Sequence, residues 1–292
     1  MSRFRFVCDH QAEYPVRRLC LAAGVSRSGF YAWQGRPASA RTRANEALLA
    51  QIREIYVTSR RTYGRVRILG QLSRRGVVGN HKRVARLMRE NAICGVGGPG
   101  RKARRTAGRH TAPAPDLLRR DFTAPAPNRR WVADLTEFLT LEGKLHLAGI
   151  LDLYANRIVG WSIGERRTAE LPVDALVMAI ARRRPPAGVI HHADHGSQYT
   201  SVVFTDRAHD ERVALSFGRI GTAADNAAME AFWSVLKREL FRIHGYRIWP
   251  SRAALRAALF DYLEVFYNRQ RHQARLGHRT PVEYEALTAN VA

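Results

Sequence analysis

VIHHADHGSQYTS, residues 189–201, and DNAAMEAFWSVLKREL, residues 225–240, decide how this chain is read. In the first, the apolar pair Val189 and Ile190 reads as a short strand that delivers Asp194 to its C-terminal end, and His195 and Gly196 open a loop. In the second, Asp225 and Asn226 are good N-cap residues for a helix that carries Glu230 in its second turn. Residues 195–229, thirty-five in all, separate the two acids. Asp225 lies five residues before Glu230, about 140° around a helix, so it reads as a cap rather than a second acid of the same face.

A third acid stands upstream. Asp134 sits in WVADLTEF (131–138), a strand-like run followed by KLHLAGILDLYAN (144–156) and IVGWSIGE (158–165). Three strands, a helix over 170–184, another strand and further helices describe an α/β layer architecture. Asp134, Asp194 and Glu230 can meet at one edge of such a sheet. Three converging carboxylates repel one another unless cations neutralise them, and an all-oxygen donor set suits Mg²⁺, with Mn²⁺ as a substitute. Two such ions, about 3.5–4 Å apart, are the usual device for in-line displacement at a phosphodiester.

The two aspartates, thirty-five residues and a glutamate resemble the ribonuclease-H-like core shared by retroviral integrases and many transposases. Beyond the acids, HHADHGSQYTS, DNAAMEAFWSVLKREL and the tail YNRQRHQARLGHRTPVEY (267–284) resemble the second-frame protein (OrfB) of bacterial insertion-sequence transposases of the insertion-sequence-three group. The resemblance covers nearly the whole chain. It implies an α/β ribonuclease-H-like catalytic core preceded by all-α helix-turn-helix units. The expected divisions are 1–36 (helix-turn-helix), 37–95 (second helical unit), 96–127 (basic linker), 128–245 (core) and 246–292 (C-terminal helix and tail).

Charge supports a polyanionic partner. The chain of 292 residues carries a formal net charge of +23. Residues 1–128 hold 26 Lys and Arg against 7 Asp and Glu, whereas 129–292 hold 22 against 18. A high Arg content explains Arg over Lys but not this asymmetry, which places nucleic-acid binding in the first half. Cys8, Cys20 and Cys94 have neither disulfide nor metal spacing, and imply a reducing compartment. With no membrane-span or signal-peptide pattern, the expected location is cytoplasmic, at the nucleoid.

Residues 14–33 have the outline of a helix-turn-helix: an apolar helical stripe (Val16, Leu19, Cys20, Ala23), a break at Gly24, and Ser26 as cap of a second helix presenting Arg27 and Ser28. A plain helical hairpin is the simpler alternative. Residues 44–93 form a second helical unit ending in NHKRVARLMREN (80–91). There Val84, Leu87 and Met88 make the buried stripe and Lys82, Arg83, Arg86 and Arg89 lie outside, a face suited to phosphates. This order is similar to the second helix-turn-helix of the same transposase group. The linker that follows has a basic cluster, Arg101, Lys102, Arg104 and Arg105, expected to act on DNA.

Within the core each candidate has a rival. Asp152, in ILDLY, competes with Asp134, but the family pattern puts the ligand on the first strand. Glu137 points to the opposite sheet face from Asp134. His191, His192, Asp194 and His195 suggest zinc, yet a third histidine on the shared face is missing; His195 instead reads as orienting a carboxylate or touching the scissile phosphate. Lys237, seven residues after Glu230, lies on the same helix face, and the resemblance implies a DNA-gripping base there. Glu239 reads as solvent-facing. SRAALRAALFDYLEVFYNRQRHQ (251–273) reads as one long amphipathic helix with Leu255, Leu259, Leu263 and Phe266 at core spacing. The His272, Arg275, Tyr284 series is only superficially like a tyrosine recombinase.

The resemblance implies a DNA transposase that cleaves and transfers strands at terminal inverted repeats, using Asp134, Asp194 and Glu230 as both catalytic residues and ligands of two ions. Its partners would be double-stranded element ends and target DNA, further copies of itself on DNA, and a first-frame protein joined to it or beside it. The competing readings are a structure-specific nuclease on the same core, which has no need of two basic helical units, and a DNA-binding regulator with an inactive core, which needs a broken triad.

Overall fold

A computed structural model of the chain describes residues 3–37, 39–97, 116–218 and 226–289. The chain divides into two compact units, 1–51 and 52–292. That boundary falls inside the helix α4 (Ala40–Thr58).

In the first unit, α1 (Arg3–His10), α2 (Val16–Ala23) and α3 (Arg27–Gln34) pack Val7, Leu19, Cys20 and Phe30 into a small core. Gly24 takes the left-handed conformation, φ 64°, that ends α2, and the Ser26 hydroxyl accepts from Gly29 N–H at 3.0 Å to cap α3. The turn and cap thus stand where the sequence puts them, and Arg27 and Ser28 are exposed. The helix α1 completes the unit, and its Val7 is fully buried together with Phe30 of α3.

The second unit begins with the end of α4, α5 (Arg65–Arg74) and α6 (His81–Glu90). The α6 stripe of Val84, Leu87 and Met88 is buried, and the Asn80 side chain caps the helix by accepting from Lys82 N–H at 2.8 Å. Lys82 and Arg89 are exposed, while Arg86 reaches Glu90 one turn on at 3.2 Å. These helices are seated on the C-terminal tail. Arg74 pairs with Glu283 at 3.0 Å, the Tyr63 hydroxyl accepts from His272 N–H at 2.6 Å, and the bare α-carbon of Gly70 leaves room for the His278 ring.

The sheet comprises β1 (Arg130–Thr140), β2 (Gly143–Asp152), β3 (Arg157–Gly164), β4 (Ile190–Ala193), β5 (Ala214–Phe217) and the short β6 (Ile248–Trp249). Its order is β3-β2-β1-β4-β5, with β6 alongside the end of β1. The first three strands form an antiparallel meander, and β4 and β5 add in parallel. Alternation along β1 sorts its side chains between two layers. Trp131, Ala133 and Leu135 face α7 (Glu170–Arg183) and α8 (Val202–Asp210). Val132 and Phe138 face α9 (Ala227–His244), α10 (Arg252–Phe260) and the segment that follows α10 as far as Tyr267. Asp134 shares the parity of Val132 and therefore opens toward α9.

The long C-terminal helix departs from the sequence reading. The α-helix stops at Phe260 and continues to Tyr267 as a π-helical segment. The wider turn brings Tyr262, Leu263, Phe266 and Tyr267 to the core together, and the expected Leu255, Leu259, Leu263 and Phe266 are all buried.

Candidate active site

Asp134 lies midway along β1, opposite Gly149 of β2. Its two oxygens have different partners: Oδ1 accepts from Leu135 N–H at 2.7 Å, and Oδ2 accepts from the Trp233 indole N–H at 3.0 Å. The indole reaches it because position 149 has no side chain; a Cβ there would stand 2.7 Å from the Trp233 ring. The Asn226 amide donates to the Ala133 carbonyl at 2.9 Å, pinning the start of α9 beside the acid. Asn226 occupies the helix N-cap, but its side chain makes this bond instead of capping, and Asp225 lies outside the described residues.

Asp194 follows the last residue of β4, as the sequence reading has it. Its charge acts on Asp134, and burial together with that repulsion raises the Asp134 pKa to about 7. Burial also raises Asp194, against the counteracting Arg167 charge and the Gly196 N–H. A Cβ on Gly196 would lie 3.1 Å from Asp194 Oδ1, so the turn keeps its tightest position bare. Two neighbouring carboxylates, both disfavoured as anions, offer oxygen ligands of the kind a hard divalent cation takes.

Glu230 lies in the first turn of α9, one residue-triplet before Trp233 and seven residues before Lys237, so all three share a helix face. Among the described residues, no three His, Cys, Asp or Glu side chains are grouped to hold a metal. The two aspartates are together, and Glu230 is carried on the adjoining helix face. Lys237 is exposed; its ammonium lies 5.3 Å from the Phe138 ring and feels the charges of Glu137 and Asp134. Burial of its stem lowers its pKa despite them.

His195 sits beside the Phe217 ring at 5.6 Å, and its charge favours ionised Asp194. His191 and His192 are buried in the sheet. Burial lowers His191 to about 4, and His192 Nδ1 is 2.8 Å from the Ser216 hydroxyl, so neither offers itself to a zinc ion beside Asp194. Asp152 is also a structural group: it accepts from Asn128 N–H at 2.7 Å and Tyr154 N–H at 2.9 Å. Glu137 turns outward and pairs with Lys144 at 3.1 Å. The linker bases Arg101, Lys102, Arg104 and Arg105 lie outside the described residues.

Glu239 is corrected. It is 2 % exposed, not solvent-facing, and accepts from Arg271 Nε at 2.8 Å and Nη2 at 3.0 Å, the Tyr262 hydroxyl at 2.8 Å and Arg67 Nη1 at 3.2 Å. Its partners come from α5 and the tail, which helical periodicity in α9 alone does not reveal. The tail signature has a related structural role. The Asn268 side chain bonds both the N–H and the C=O of Ile158, at 3.0 and 2.8 Å.

Two residues near the acids carry no sequence signal. Arg167, exposed in the loop after β3, acts electrostatically on Asp134 and Asp194. The Tyr199 phenol is buried, its pKa is driven up by burial and both acids, and its hydroxyl has no hydrogen-bond partner among the described residues.

The Integrase core domain model matches residues 124–223, a second Integrase core domain model matches 230–288, and the HTH-like domain model matches 43–101. An uncharacterized 31 kDa protein of insertion element IS600 from Shigella sonnei is 41 % identical over 269 residues, spanning 91 % of this chain and 97 % of that one. Transposase InsF for insertion sequence IS3A from Escherichia coli is 34 % identical over 287 residues, spanning 97 % and 98 %. Among solved structures, the simian T-cell lymphotropic virus intasome aligns at a TM-score of 0.46 and 14 % identity, covering 71 % of this chain and 67 % of that one. The HTLV-2 integrase catalytic core domain aligns at 0.44 and 17 %, covering 56 % and 99 %.

Proposed function

The chain belongs to the IS3 family of DNA transposases, and from that membership we propose that Asp134, Asp194 and Glu230 form its catalytic centre for strand cleavage and strand transfer at the element's terminal inverted repeats. The observation that carries this reading is Asp194, at the end of β4, acting by its charge on the half-buried Asp134, beside which the Asn226 bond pins the helix bearing Glu230. These acids would hold two Mg²⁺ or Mn²⁺ ions, which when bound supply Lewis acidity to the attacking and leaving oxygens of a phosphodiester.

The protein's own groups supply position and charge. Leu135 N–H and the Trp233 indole fix the two oxygens of Asp134, so its carboxylate plane does not need to reorganise when charge is added nearby. Lys237 and Arg167 put positive charge on either side of the pair, where a DNA backbone would approach. His195, next to Asp194, orients that carboxylate or touches the scissile phosphate. A water, and later a DNA 3′-hydroxyl, attacks phosphorus as the 3′-oxygen leaves; no protein side chain becomes covalently bound to DNA.

The helical units serve the same substrate: Arg27 and Ser28 of α3, and Lys82, Arg83, Arg86 and Arg89 of α6, are proposed to bind the element ends, with Arg101, Lys102, Arg104 and Arg105 following the backbone. Self-association on DNA and a first-frame protein complete the proposed assembly. The test is cleavage and strand transfer on labelled element ends with Mg²⁺, comparing the wild type with Glu230→Gln. Loss of both reactions with end binding intact is expected. Full activity in the variant would remove Glu230 from the site, and binding without reaction in either protein, even with the first-frame protein added, would favour a DNA-binding regulator.

A further inference from the structure

A groove of about 460 Å³ runs between the end of β1 and the second half of α9, continuing to β6. Its apolar wall includes Phe138, Phe241, Tyr246 and Trp249. Phe241 and Tyr246 are 42 % and 46 % exposed, although rings of this size gain by burial. The polar members are mostly cationic. Lys237 stands 5.3 Å from the Phe138 ring, the Arg247 guanidinium lies 4.8 Å from the Phe241 ring, and Arg238 lines the wall between them. The one acid on the wall, Glu137, is engaged by Lys144.

The groove's Phe138 lies on the β1 face that carries Asp134. The Lys237 ammonium faces the groove and also feels the Asp134 charge. Phe138 is four residues beyond Asp134 on the same strand, about 13 Å at a rise of ~3.3 Å per residue. A second copy of the chain docked here by two-fold symmetry would bring two clusters of like charge together. A nucleic acid meets both features: phosphates suit the three cations, and base faces suit the rings. A paired duplex keeps its bases stacked inside and cannot use exposed aromatic faces; unpaired nucleotides can.

We propose that this groove holds unpaired nucleotides of the DNA end, stacked on Phe241 and Tyr246, while the adjoining phosphodiester lies at the acid pair. This rests on the transposase reading and adds to it a preference for frayed ends.

The test uses the full chain and the element's own terminal duplex, either fully paired or mismatched at its last few pairs, with 5-iodouracil in the mismatched strand. Irradiation is expected to crosslink the base to Phe241 or Tyr246, located by peptide mass spectrometry. Wild type should bind mismatched ends roughly tenfold or more tightly than paired ends, the range expected for base–aromatic stacking. In Phe241→Ala/Tyr246→Ala that preference should vanish while binding to the paired end stays unchanged. A preference retained by the double variant, crosslinks confined to other segments, or a shift of the double variant to a smaller oligomer without loss of preference would overturn the proposal. Cleavage in Mg²⁺ on the same samples separates the two readings. An active wild type with no crosslink in the groove and no preference loses the groove and keeps the transposase. A protein that grips frayed ends through these rings without cutting them keeps the groove and loses the catalytic assignment.

Discussion

The two ends of α9 each meet a carboxylate, Glu239 buried and Asp134 half-buried, and the fold treats them in opposite ways. Near the last turns, Glu239 is met by two guanidinium groups and a phenol, and the charge of Arg271 beside it holds its pKa below the usual glutamate range in spite of burial. Near the first turn, Asp134 has two neutral N–H donors and faces the like charge of Asp194, and its pKa rises to about 7. A buried acid matched by cations from two elements is a structural joint, here tying α9 to α5 and the tail. A half-buried acid left under-compensated beside another acid is a site that gains from an incoming cation. The same residue chemistry thus separates scaffold from centre by the partners the fold delivers.

That contrast can be broken most decisively at Asp134. Asp134→Asn should lower strand cleavage about a thousandfold or more, several kcal/mol of transition-state stabilisation. The same variant should unfold at an unchanged or higher temperature, because it removes a like-charge repulsion. A variant that cleaves normally, or that fails to fold, would place Asp134 with the scaffold. Glu239→Gln should do the reverse. It leaves Arg271, 4 % exposed, without its counter-charge, and urea unfolding should register a loss of about 3–5 kcal/mol. Cleavage per folded molecule should be retained.

A smaller effect is expected at Trp233, whose indole donates to Asp134 without belonging to the proposed centre. Trp233→Phe removes a hydrogen bond to a carboxylate, about 1.5–3 kcal/mol. The loss should appear as weaker Mn²⁺ binding by calorimetry, with Gly149→Ala, which crowds the indole, causing a loss of the same kind. Unaltered Mn²⁺ affinity in Trp233→Phe would show that the indole only fills space.

The smallest expected effect is in pH dependence. The folded pKa of Glu239 lies below its unfolded value, near 4.3. Its contribution to stability is therefore complete above that value and declines as pH falls through the folded pKa. The acid limb of the wild-type stability curve should be steeper than that of Glu239→Gln, with the two curves running parallel near neutrality.

Much of this was legible in the residues themselves. The Gly24 break and the Ser26 cap mark a helix pair because a left-handed residue and a hydroxyl acceptor are local requirements. The α6 stripe follows from helical spacing, and the parity of Asp134 and Glu137 from the two-residue period of a strand. Those rules act over a few residues, so a sequence suffices to apply them. Asp134 within the first strand, Asp194 after a short strand and Glu230 on the late helix stand likewise on the elements that their flanking residues predict. Glu239 was misread because its cations, Arg67 and Arg271, lie 172 and 32 residues away. Asn226 looked like a cap, yet its amide serves the Ala133 carbonyl, 93 residues upstream. Which acid is matched by cations, which histidine is enclosed and which arginine stands beside the centre are settled by contacts between distant segments. Packing energy, dielectric and charge act through space, and only the tertiary structure brings those segments together.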